Sequence, residues 1–148
     1  MTNTNDAFDL SRFTSAQENV YDSALAELKN GRKRTHWMWY IFPQIDGLGY
    51  SATSKHYAIK SLEEARQYLN HPVLGQRLLE CAEAVYAIEE QSISEIFGYP
   101  DNLKLKSSMT LFAYVAAPGS VFAHVLDKYF NGERDALTLQ LLEQLNAK

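Results

Sequence analysis

The sequence predicts a mainly α protein: a compact single-domain multi-helical fold with at most a small β element near residues 40–60. Three observations carry that expectation. Apolar residues recur at helical spacing over most of the chain. Hydroxyl or acidic residues stand at helix-start spacing ahead of several of those runs. Gly or Pro falls where the runs stop or restart.

The first helix is expected from about Ser15 to Lys29. Ser15 and Glu18 have capping-box spacing, Ala16, Val20, Ala24 (or Leu25) and Leu28 follow a helical period, and Gly31 suits a left-handed residue beyond the end. Asp9 to Phe13 adds a short preceding turn. The apolar, aromatic run Thr35 to Pro43 reads as a helix capped by Thr35 and stopped by Pro43, with a buried strand as the alternative. Gln44 to Ser54, with Gly47 and Gly49, reads as a loop, and Tyr57-Ala-Ile59 as extended. Ser61 and Glu64 repeat the capping-box spacing and open a helix through Leu69. Pro72 restarts a longer helix to about Ile88, with Leu74, Leu78, Cys81 (or Ala82) and Val85 as its apolar stripe. Ser92 and Glu95 open a brief helix ended by Gly98. Asp101 is the expected cap of a helix over about Asn102 to Ala116, whose buried face is Leu105, Met109, Phe112 and Val115 (or Ala116). Pro118-Gly119-Ser120 breaks the chain before a helix from Val121 to Tyr129, closed by Gly132. Asp135 starts the last helix, with Leu137, Leu141, Leu142 and Leu145.

A chain of 148 residues suits one domain, expected here as a flexible start at residues 1–7 and one globular helical domain over 8–148. At 46% hydrophobic and 12% aromatic residues, it carries too much apolar surface for lasting disorder. No run approaches the roughly 18 apolar residues of a membrane span. The start has neither the basic nor the apolar segment of a signal peptide, and a lone Cys81 forms no internal disulfide, so a cytoplasmic protein is expected. Oligomeric state is not legible. The net charge of −4 disfavours duplex nucleic acid as a partner.

Basic charge is unevenly spread, however. Lys29, Arg32, Lys33 and Arg34 are four of the 14 basic residues and fall within one short stretch. They run straight into His36-Trp37-Met-Trp39-Tyr-Ile-Phe-Pro-Gln44. Guanidinium forks match phosphate oxygens and indole faces stack on rings, which suits a small phosphorylated or nucleotide-like molecule read by Arg32, Arg34, His36, Trp37, Trp39 and Gln44. The plainer alternative is a solvated helix end followed by an aromatic core knot. A second cluster, Lys104, Lys106, Ser107, Ser108 and Thr110, concentrates cations and hydroxyls near a helix start, where free amides add anion affinity. Its alternative is a solvated lysine face. A third, Ser51 to Tyr57, holds Lys55, His56 and Tyr57 and otherwise reads as an exposed polar loop. Arg77 and Glu80 fit a surface ion pair, and Cys81 fits a buried structural thiol. The four histidines lack ligand spacing. Neither a metal site nor a cofactor is expected.

The strings Asp9-Leu-Ser-Arg-Phe13, Gly31 to Gln44, Tyr57-Ala-Ile59, His71-Pro-Val-Leu-Gly-Gln-Arg-Leu78 and Lys104-Leu-Lys-Ser-Ser-Met-Thr-Leu-Phe112 resemble the bacterial domain-of-unknown-function family 1810. The resemblance spans nearly the whole chain from about residue 8. Members are sometimes labelled calpastatin, a protease inhibitor built of disordered repeats, and this chain has neither feature. Thr53-Ser-Lys-His-Tyr57 is also similar to a Thr-Ser-Glu-His-Tyr motif of the NADAR (YbiA-like) family. That more distant likeness implies a helical protein cleaving N-glycosidic bonds. Lys55 stands where that family has its acid, so either another carboxylate (Asp46, Glu63 or Asp101) serves in its place or the chemistry is different or absent.

The expectation is a pocket for a small phosphorylated or nucleotide-like ligand. Arg32, Arg34, Lys104 and Lys106 hold the anion, while Trp37, Trp39 and Gln44 contact the ring, with His36, Tyr57 and Ser107 nearby. If the protein is an enzyme, it is an N-glycosidic-bond hydrolase with Asp101 or Lys55 moving the proton. The alternative is a non-catalytic module binding a ligand or a protein.

Overall fold

In the computed structural model, which describes residues 6–147, ten helices are formed: α1 (Ser11–Gln17), α2 (Tyr21–Lys29), α3 (Met38–Ile41), α4 (Ala52–His56), α5 (Leu62–Asn70), α6 (Leu74–Ala87), α7 (Ile93–Phe97), α8 (Asp101–Val115), α9 (Val121–Phe130) and α10 (Ala136–Asn146). The mainly α expectation holds. The small β element reduces, among the described residues, to an isolated parallel bridge between Ile45 and Ile59. The Asp46 amide there donates to the Ile59 carbonyl and the Ile59 amide to that of Gln44, both at 2.8 Å.

Helix α8 is the centre. Leu105 and every residue from Ser107 to Phe112 are buried, so it is enclosed on all sides rather than along one stripe. It packs on α5, α7, α9 and α10, while α6 packs on α2, α5 and α9. The expected α8 face of Leu105, Met109 and Phe112 is inside, joined by Leu111 and two buried serines. A single core runs from Leu10 to Leu142.

Several boundaries differ from expectation for identifiable reasons. The helix foreseen over 15–29 breaks at Glu18–Val20, because α1 packs on α3 whereas α2 packs on α6. Ser15 forms no capping box there. The start of α1 is instead satisfied by the Asp6 carboxylate, which accepts from the amides of Leu10 (2.6 Å) and Ser11 (3.1 Å). Residues 1–5 of the foreseen flexible start lie outside the described residues. The aromatic run forms one helical turn, and Thr35 does not cap it. The 44–54 loop ends in α4, capped by Ser51, whose hydroxyl accepts from the Ser54 amide (3.1 Å). At α6, the His71 imidazole Nδ1 accepts from the amides of Val73 (3.1 Å) and Leu74 (3.2 Å). Asp101 is the first residue of α8, not its cap. Asn131, at φ 56°, ends α9 ahead of Gly132. The Ser92–Glu95 capping box forms as foreseen, and Asp135 caps α10 through the Thr138 amide (3.0 Å).

Candidate functional site

The basic–aromatic stretch turns out to be organised by one carboxylate. After α2, Gly31 takes a left-handed φ of 78° and reverses the chain, so that residues 34–37 return past Glu27. One Glu27 oxygen accepts from the amides of Arg34 (2.7 Å) and Thr35 (3.0 Å) and from the Trp37 indole N–H (2.9 Å). The other accepts from the Thr35 hydroxyl (2.6 Å). Burial alone would raise its pKa, yet these bonds favour the charged form and hold it at about 2. A cradle of N–H groups that reads from sequence as an anion site is thus already filled by the protein's own anion. Trp37 is 0% exposed, with its ring against Phe42 and Phe97. It is closed to any ligand in this conformation. Arg32, Arg34 and His36 are exposed on the outer side of the same turn.

The 31–44 and 101–110 stretches meet, as the sequence reading required. Lys33 Nζ lies 2.9 Å from one Asp101 oxygen and Lys104 Nζ 3.4 Å from the other. The Lys104 ammonium also sits 4.3 Å from the centroid of the Trp39 ring, a cation–π distance. Asp101 is therefore clasped by two cations. Lys106 pairs instead with Glu133, ahead of α10, and the buried Ser107 donates to the Leu103 carbonyl (3.2 Å). Neither contacts the indoles.

One crevice collects most of the remaining candidates. It is lined by Trp39, Gln44, Asp46, Gly49, Ser54 and Tyr57, together with neighbouring backbone of the 45–49 loop. Trp39 comes from α3, Tyr57 from the end of α4, and Gln44 and Asp46 from either side of the Ile45–Ile59 bridge, which pins the loop at its root. Gly49 is needed here, because a Cβ at this position would lie 2.6 Å from the Ser54 hydroxyl. The Tyr57 ring packs edge-on against Tyr40 (4.8 Å) and His56 (4.6 Å), and burial followed by the nearby Tyr40 raises its pKa. Lys55 is exposed on α4 and is not among the lining residues.

The frame behind this crevice is a residue the sequence reading did not single out. Arg12 reaches from α1 to the carbonyls of His56 (2.8 Å) and Ala58 (2.9 Å) and to the Glu64 carboxylate (2.6 Å). It also donates to the carbonyls of Phe8 and Asp9. Glu64 in turn accepts from the Lys60 amide (2.9 Å), so its capping-box position serves a buried ion pair. Similarly, Arg77 donates to Gln17 (3.3 Å) and stacks on Tyr21 (4.8 Å) rather than pairing with Glu80, which accepts from the Tyr21 hydroxyl. Cys81 is buried, and burial pushes its thiol up to about 12, which suits a structural residue. Among the described residues, no three His, Cys, Asp or Glu side chains gather as a metal site. No described helix is long and apolar enough to cross a membrane.

The model of a protein family of unknown function, DUF1810, matches residues 7–142. The chain is similar to the conserved hypothetical protein Rv1873 from Mycobacterium tuberculosis, known from a crystal structure. The two share 52% identity over 93% of this chain and 99% of that one, with a TM-score of 0.92. No curated protein matches the chain.

Proposed function

This chain belongs to the DUF1810 family of proteins of unknown function, and on that premise we propose that it binds a small phosphorylated or nucleotide-like ligand at the Trp39–Gln44–Tyr57 crevice. One observation carries this reading. Trp39 and Gln44, two of the three residues expected from sequence to contact a ring, line one recess with Tyr57, expected near the ligand, and the Lys104 cation lies against the same indole. The Gln44 amide and the Asp46 carboxylate there make no side-chain hydrogen bond to any described residue. Convergent polar groups without internal partners on an aromatic wall are what a recognition site needs. The indole would stack on a ring, Gln44 would read a polar edge, and Lys104 would meet the negative charge.

As it stands, the crevice has a volume of about 10 Å³, room for about one water. A ring therefore enters as the Gly47–Tyr50 segment swings outward about the root pinned at Asp46. Tyr50 at its tip is 87% exposed, whereas Leu48 packs against the core and must be displaced by that movement. Arg32 and Arg34 remain candidates for the phosphate end of a longer ligand, whereas Trp37 is withdrawn.

A thermal-shift series with AMP, ADP-ribose and ribosylated pyrimidine phosphates tests the reading. At least one should raise the midpoint of the wild-type protein, because a ligand of the native state stabilises it, and Trp39→Ala should abolish the shift. No shift from any of them in a folded protein overturns the proposal.

The second reading is N-glycosidic-bond hydrolysis, suggested by the likeness of Thr53–Tyr57 to the NADAR motif. The observation favouring it is that Asp46, a carboxylate, lines the crevice beside Tyr57. Asp46 then supplies the charge that an oxocarbenium-like transition state requires and that Lys55 cannot. Release of free base from a bound nucleotide should vanish in Asp46→Asn and persist in Asp101→Asn. The reverse pattern would return the role to Asp101.

A further inference from the structure

Three places in the chain set an Asn or Asp side chain directly before glycine: Asn30–Gly31, Asp46–Gly47 and Asn131–Gly132. Glycine has no side chain to shield its nitrogen. Each pair therefore has the composition to close a five-membered ring between the side-chain carbonyl carbon and the next backbone nitrogen. Asn30, Asp46 and Asn131 are all exposed, so access does not separate them. The glycine amide does. The Gly31 N–H donates to the Leu28 carbonyl (2.9 Å) and the Gly132 N–H to the Leu126 carbonyl (3.0 Å). Both bonds belong to helix ends, those of α2 and α9, and ring closure at either must break the bond and unwind the end of the helix. The Gly47 N–H makes no hydrogen bond to any described residue, and Gly47 is exposed. The chain is held one residue earlier, where the Asp46 amide donates to the Ile59 carbonyl (2.8 Å), and not at the nitrogen that would react.

From this difference we infer that Asp46–Gly47 is a site of spontaneous covalent modification, at which the folded protein converts aspartate to isoaspartate while its two Asn–Gly pairs stay intact. The Gly47 nitrogen attacks the Asp46 carboxyl carbon and forms an N–Cγ bond. The carboxyl hydroxyl and the amide proton leave together as water. Water then adds to the cyclic imide. Addition at Cγ restores aspartate. Addition at the backbone carbonyl carbon breaks its bond to nitrogen, which frees an α-carboxylate and leaves the chain running through Cβ. No reagent besides water is needed, so the site stands whether or not the crevice binds a nucleotide. Its consequence falls on that crevice all the same. Asp46 lines both the crevice and the recess that separates it from Leu141 and Leu145 of α10, and the reaction moves the carboxylate and inserts a methylene into the backbone between them.

Peptide mapping of the native full chain after prolonged incubation at neutral pH tests it, with electron-transfer fragmentation to separate isoaspartate from aspartate. Isoaspartate should accumulate at position 46, and Asn30 and Asn131 should keep their amides. In a chain held unfolded in guanidinium chloride the order should reverse, because ammonia leaves an Asn side chain more readily than water leaves a carboxylate. Asp46→Asn, an exposed change, gives the like-for-like comparison: three Asn–Gly pairs that only folding can tell apart. In the native variant, position 46 should lose ammonia faster than Asn30 or Asn131 by about tenfold or more, the factor that one backbone hydrogen bond supplies. The three rates should draw together on unfolding. Wild-type protein that forms no isoaspartate at position 46 overturns the inference, as does native Asp46→Asn protein in which Asn30 or Asn131 reacts as fast as position 46.

Discussion

Two neighbouring regions, the Glu27 turn and the Trp39 crevice, look alike in sequence and differ in one physical respect. Each joins an indole to cations and hydrogen-bonding groups. In the turn, each of the polar hydrogens around Glu27 has found an internal acceptor: the amides of Arg34 and Thr35, the Thr35 hydroxyl and the Trp37 indole all end on one carboxylate. In the crevice, the half-buried Gln44 and the exposed Asp46 line a recess and make no side-chain hydrogen bond to any described residue. Buried polar groups are costly unless paired, so complete pairing marks a structural device. Groups open to solvent at a recess are free to meet a ligand, which is the role proposed for the crevice. Composition and spacing do not separate the two cases; the hydrogen-bond partners do.

That contrast makes graded predictions. The largest effect should come from the frame behind the crevice. Arg12→Ala strands the Glu64 carboxylate, which is almost fully buried, and should lower unfolding free energy by about 3–5 kcal/mol in chemical denaturation. A loss under about 1 kcal/mol would mean that Arg12 does not hold α4 in place. Next, Glu27→Ala leaves two amides and an indole N–H without their acceptor and should cost about 3 kcal/mol. Trp37→Phe, which removes one of those donors and part of a core ring, should cost less, about 1–2 kcal/mol. Smallest on stability is the crevice itself: Gln44→Ala should change unfolding by less than about 0.5 kcal/mol while weakening nucleotide binding. A large stability loss from Gln44→Ala would erase the distinction between the two regions.

Acid sharpens the same comparison. Glu27 has a folded-state pKa of about 2 against an ordinary value of 4.5. Its contribution is complete above the ordinary value and is lost as pH falls from there through about 2. Stability measured between pH 5 and pH 2 should therefore fall less steeply in Glu27→Gln than in the wild-type protein. Parallel curves would remove the carboxylate from its organising role.

The helical architecture was legible because local signals suffice for it. Ser61, Ser92 and Asp135 each stand at the start of a helix, and Gly31 reverses the chain after α2. What was not legible depended on distant partners. Nothing near Glu27 announces that Trp37, ten residues on, will donate to it, so an occupied cradle was read as an open one. Arg12 and Glu64, fifty-two residues apart, are each unremarkable in a charged helical sequence, and only their burial together gives them a role. The break between α1 and α2 likewise reflects two different packing partners rather than a breaker residue. Of the residues chosen for chemistry, Trp39, Gln44 and Tyr57 converge because the chain between them is short and pinned by the Ile45–Ile59 bridge. Lys106 and Ser107 lie on α8 beyond the reach of that loop and were grouped with the others by composition alone.

The two indoles give the most direct test, because one belongs to each region. Titration of ¹⁵N-labelled protein with AMP, followed by proton–nitrogen correlation spectra, resolves both indole N–H signals and the Gln44 side-chain amide. The Trp39 and Gln44 signals should move in a saturable manner while the Trp37 signal, held by Glu27, stays in place. Movement of Trp37 with Trp39 unmoved would contradict the assignment of the turn to structure and the crevice to recognition.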